Sequence, residues 1–133
     1  MSLRSVLKDG IVFTKISDEG AADQLAEESN STGGIVEFKK VYAEFIDLSE
    51  CDHENSYTQD MVKLLELLEG AFEIFEKSFV AVYADSFYHA FGMIRMMKNY
   101  AMSSKNLVLV ETFHDKDEAI TWLEKCIRKA RDL

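Results

Sequence analysis

Phe113-His114-Asp115-Lys116-Asp117-Glu118-Ala119-Ile120-Thr121-Trp122-Leu123 follows the alternating run Asn106-Leu107-Val108-Leu109-Val110-Glu111-Thr112. Together they read as a strand that enters a helix over one short turn. Asp115 stands at the N-cap position, and Glu118 lies three residues on, the spacing of a capping box. Ala119, Ile120, Trp122 and Leu123 supply an apolar stripe that pins this last helix to a sheet. Capping and packing explain these residue types, so the stretch specifies architecture rather than chemistry.

The same alternation extends backward. Met61-Val62-Lys63-Leu64-Leu65-Glu66-Leu67-Leu68 opens a long amphipathic helix, with Leu64, Leu68, Phe72 and Phe75 on one face. Glu66, Glu69, Glu73 and Glu76 line the other. Phe79-Val80-Ala81-Val82-Tyr83-Ala84 is a short apolar run suited to a strand buried on both faces. Asp85 or Ser86 is placed to cap a helix from Phe87 to about Ala101. The second half therefore reads strand, helix, strand, helix, strand, helix, a pattern of parallel strands joined by right-handed crossovers.

The first half is less regular. Ile11 to Ile16 is β-rich, Ser17 can cap a helix running to Glu28, and Asn30-Ser31-Thr32-Gly33-Gly34 breaks the chain. Ile35 to Leu48 reads as one long strand or a bent pair, with Glu37, Lys39 and Glu44 partly solvated. The expected architecture is a single α/β domain over 1–133, with a four- to five-stranded mixed sheet and about four helices.

Composition narrows the function classes. With 133 residues and 47% hydrophobic content the chain supports one ordinary core. The net charge is −9, from 24 acidic and 15 basic residues, a field that repels phosphate backbones and anionic lipid. Nucleic acid is therefore not an expected partner. Lys125, Arg128, Lys129 and Arg131 gather where cations favour the negative end of the last helix, with a docking patch as the alternative reading. No apolar run is long enough to cross a bilayer, and Met1 to Asp9 has no signal-peptide pattern, so a cytoplasmic setting is expected. In that setting Cys51 and Cys126 are expected as free thiols.

Three pieces taken together, Phe45-Ile46-Asp47-Leu48-Ser49 closing a strand, the β/α alternation after it, and the Phe113 to Leu123 ending, resemble the STAS-like proteins of the SpoIIAA-like branch. The resemblance covers roughly residues 35 to 130. It implies a small, cofactor-free domain that works by binding, as a regulatory or protein-binding module. In the family's anti-anti-sigma factors a strand ending Asp-Leu-Ser leads to an Asp-Ser-Ser-Gly-Leu-Gly loop with a phosphorylated serine at a helix head. Laid without gaps on this chain, that loop falls on Asn55 to Asp60. Ser56 matches one serine, Tyr57 replaces the other, and Thr58 and Asp60 fill the glycine positions, a marked departure. Ser56 and Thr58 remain the candidates for phosphorylation or partner contact, with helix capping as the plain alternative. A phosphate at a helix N-terminus is favourable in itself, but Glu54 and Asp60 oppose it.

Other constellations are weaker. Cys51, His53 and Glu54 have metal-ligand character, with His89 or His114 as distant partners, but the second ligand pair that structural zinc requires is missing from the sequence. Acidic neighbours disfavour a Cys51 thiolate, and no catalytic constellation stands out; neither metal, cofactor nor catalysis is expected. The helix from Ser86 to Met102 carries more apolar surface than one sheet contact buries. Phe87, Phe91, Met93 and Met97 are its candidate interface or ligand-groove residues, since methionines with aromatics suit adaptable surfaces. The first reading of this surface is a helix sandwiched in the core or under a neighbour. The alternatives are contact with a protein partner or a second copy in a homodimer, or a groove for an apolar small molecule or lipid.

Overall fold

The computed structural model describes residues 2–17, 40–50, 59–84 and 91–131. Strand β1 (Ser2–Lys8) turns through Asp9 and Gly10 into β2 (Ile11–Ser17). Both turn residues have positive φ, 53° and 82°. That is the two-residue hairpin turn whose twist matches the strands, and it explains why Asp-Gly occupies the position. The sequence reading had placed no strand before Gly10, although this dipeptide was its signal.

Strand β3 (Val41–Glu50) is followed by helix α1 (Gln59–Ile74), strand β4 (Lys77–Tyr83), helix α2 (Phe91–Ser103), strand β5 (Leu107–Phe113) and helix α3 (Lys116–Arg131). The five strands lie in sequence order in one sheet. β1 pairs antiparallel with β2, and β2, β3, β4 and β5 pair in parallel. The domain is thus α/β with a five-stranded mixed sheet. Three helices stand among the described residues. The helix expected over 18–28 and the strand start at 35–39 lie outside them, as does the cap at Asp85 or Ser86.

Each crossover steps in the same direction along the sheet, so right-handed connections place α1 and α2 on the same face. The core confirms it. Leu64, Leu65, Leu68 and Phe72 of α1 and Ile94 and Met97 of α2 pack with Val12, Ile16, Tyr42, Ile46, Val80, Val82, Val108 and Val110. The intervening strand positions point the other way. There Ile11, Ala43, Phe45, Phe79 and Ala81 meet Ala119, Leu123 and Ile127 of α3. β4 is buried on both faces, as its unbroken apolar run requires.

Asp115 caps α3 as its spacing predicts: its carboxylate accepts the backbone N–H of Glu118 at 3.0 Å. Helix α1 ends differently. The Asn106 amide donates to the carbonyls of Phe72 and Glu73 at 2.9 and 3.1 Å, and the Ser104 hydroxyl donates to Phe72. These bonds satisfy carbonyls that the last turn leaves free, and they clamp the α2–β5 turn to α1.

α3 runs from the carboxyl end of β5, where Trp122 packs on Phe113, back over β4 and β3 to the β1–β2 turn. Crossing obliquely, it leaves the opening half of β5 bare on that face: Leu107 and Leu109 are 49% and 41% exposed.

Candidate functional site

The parallel strands all present their carboxyl ends at one edge, the place where open α/β sheets bind ligands. At the end of β3, the Asp47 carboxylate accepts the Ser49 N–H at 2.8 Å and the Ser49 hydroxyl at 2.6 Å. This side chain–backbone turn fixes how the chain leaves the sheet. Beside it, the ends of β4 and β5 are tied together. Ala84 N–H donates to the Phe113 carbonyl, and His114 donates from Nδ1 to the Ala84 carbonyl at 3.1 Å. A carbonyl only accepts, so in the neutral ring the proton sits on Nδ1.

Behind this edge lies a buried polar line across three strands. Tyr42 and Glu44 alternate with apolar residues on the α1 side of β3, and Glu44 is 3% exposed. The Tyr42 hydroxyl donates to Glu44 Oε1, and Thr14 of β2 also hydrogen-bonds the carboxyl. Thr14 is in turn 2.9 Å from the Ser5 hydroxyl of β1. Glu44 Oε2 is buried without a partner among the described residues, as is the Ser78 hydroxyl. Burial pushes the Glu44 carboxyl up to about 7, against the lowering effect of the Tyr42 and Thr14 bonds. Burial first, then the charge of Glu44, holds the Tyr42 phenol well above its usual range. The expectation that Glu44 is partly solvated is therefore corrected. Its period-2 position among Tyr42, Ile46 and Leu48, all facing the core, is the signal that marks it as buried.

The opposite face carries a groove of about 420 Å³ between the hairpin turn and α3. Ile11, Phe13, Ile120 and Ile127 form its walls, and Lys8, Asp9, Glu124 and Arg128 its rim. Apart from Arg128, weighed within the basic cluster, none of these is a sequence-level site candidate, because the groove joins residues more than 100 positions apart.

Of the residues expected on α2, Met97 is fully buried in the core with Ile94. Phe91 and Met93 fall within the helix. Phe87, Ser56, Thr58, Cys51, His53, Glu54 and His89 lie outside the described residues. Among the described residues no cluster of His, Cys, Asp and Glu could hold a metal, and no helix is long and apolar enough to cross a membrane. Cys126 is a half-buried free thiol whose pKa burial raises, Lys129 pulling it the other way.

Comparison of the chain with protein-family models, with curated proteins and with solved structures found no match.

Proposed function

We propose that this chain is a non-enzymatic STAS-like domain of the SpoIIAA-like branch, acting as a regulatory or protein-binding module through the carboxyl edge of its sheet. One observation carries the reading. β3 and β4 are adjacent and parallel with Asp47 beside Tyr83, and β3 runs three residues further to Glu50, so the chain leaves both strands at the same end of the sheet. The segment bearing Ser56 and Thr58 and the segment leading into α2 thus depart from a common rigid base, which suits a two-part partner surface. The sequential parallel strands with α1 and α2 on one face further support the STAS-like reading. Photo-crosslinking in cells tests it. A discrete protein adduct from probes at Ser56 and Lys98, absent from a probe at Lys125, is the expected result. Equal labelling from all three positions, or none, defeats the proposal. Phosphate on Ser56 or Thr58 in cell-derived protein would add the switch; its absence removes only that part.

A second reading, binding of an apolar small molecule, is favoured by the groove between the hairpin and α3. Its apolar walls and charged rim suit an amphipathic ligand. Native mass spectrometry of protein purified without denaturation would show a bound mass that Phe13→Asp abolishes. A bare protein mass removes this reading.

A further inference from the structure

We infer that the outer edge of β5 is the interface for a second copy of this chain, pairing antiparallel about Val108. This inference is independent of the function proposed above.

β5 closes the sheet, and among the described residues no strand pairs with its outer side. The direction of its free groups follows from the bonds it makes. Leu107 N–H donates to Glu76 O, and Phe113 O accepts from Ala84 N–H, so the odd-numbered residues turn their backbone groups toward β4. Those of Val108 and Val110 therefore point out of the sheet. An edge of this kind is a template for another strand.

A two-fold axis perpendicular to the sheet through Val108 makes these outward groups meet. Each Val108 exchanges N–H to C=O bonds with its counterpart, and each Val110 N–H reaches the Asn106 carbonyl of the other copy. The Asn106 N–H needs no partner there, because it already donates to the Ser104 hydroxyl. The intervening pairs are the non-hydrogen-bonded ones, whose side chains approach most closely.

Those pairs lie on the face that α3 leaves bare, and their chemistry matches itself. Leu107 falls opposite Leu109 of the second copy, and Leu109 opposite its Leu107. Lys105, in the bend just before β5, comes toward Glu111 of the second copy at each end of the pairing, and Glu111 toward its Lys105. All four side chains are exposed in the single chain. The order Lys, Leu, Leu, Glu at alternate positions is thus charge-complementary and apolar-complementary to its own reverse, which a two-fold interface demands. Centring instead on Val110 would set Leu109 against Glu111, with no such match.

The test is sedimentation of the full chain over a range of concentration, with Lys105→Glu, Glu111→Lys and their double variant. Both positions are exposed, so circular dichroism should show all variants folded. A reversible wild-type dimer is expected. Each single variant should weaken it about tenfold or more, since like charges then face each other at both ends. The double variant should restore it. So should an equimolar mixture of the two single variants, because each charge then meets its opposite. A wild-type chain that stays monomeric at its highest soluble concentration overturns the inference. A dimer indifferent to both reversals, or not rescued by the mixture, overturns it equally.

Discussion

The Glu44 carboxyl is nearly surrounded by groups that cannot share its charge. The Tyr42 and Thr14 hydroxyls hydrogen-bond it, Ser5 stands behind Thr14, and Val12, Ile46, Val80 and the leucines of α1 complete that side of the core. Its ordinary value of 4.5, which applies to the unfolded chain, rises in the fold to about 7. Between these values the folded state holds a proton that the unfolded state has lost. Stability from this group is therefore full below pH 4.5 and is lost as pH rises through about 7. The interval corresponds to about 3 kcal/mol. In Glu44→Gln the amide oxygen can still accept from Tyr42 and no charge is left to bury. Urea denaturation from pH 5 to pH 8 should show wild-type stability falling relative to the variant. A parallel course for the two proteins would mean that Glu44 is not the titrating group. A glutamate by its type points to solvent, and only its alternation with Tyr42, Ile46 and Leu48 marks Glu44 as a core position.

The helices differ in how far their ends could be read in advance. The α3 cap was legible because Asp115 acts on Glu118 within one turn. Asp115→Ala should cost about 1 kcal/mol in chemical denaturation. The α1 stop was not legible, because Asn106 reaches carbonyls more than thirty residues earlier and only the folded sheet brings them together. Asn106→Ala leaves those carbonyls without this donor and should cost about 1–2 kcal/mol, with far-UV helical signal lost before the global transition. Most of the apolar stripe of α1 and of α3 was legible, since the 3.6-residue period is local, although Leu65 and Ile127 also face the core. Leu123, with no exposed surface, anchors the one described helix on its face. Leu123→Ala should cost about 2–5 kcal/mol, measured by the same denaturation. A cost below about 1 kcal/mol would show that α3 is not held by this stripe.

Over the whole molecule, burial and pairing set a gradient of stability across the sheet. β4 lies between two parallel neighbours, with α1 and α2 above and α3 below. Among the described strands β1 pairs with β2 and β5 with β4, so each stands at an edge of the sheet. The parallel order of β2 to β5 was foreseeable in part from the alternation of strands and helices. The added β1 and the bare half of β5 were not, because they depend on a turn geometry and on the oblique path of α3. Residue-resolved hydrogen exchange should read the gradient directly. Amides of Val80, Ala81 and Val82 should exchange only through global unfolding, and those of β1 through local opening with far less protection. Along β5 the expected pattern is an alternation. Leu109 and Glu111 donate toward β4 and should be slow at every concentration. Val108 and Val110 point outward and should be fast in the monomer, gaining protection as concentration rises if a second copy pairs there. Uniform protection along β5 in dilute solution would mean that its outer edge is already covered, and would set aside both the gradient and the edge pairing.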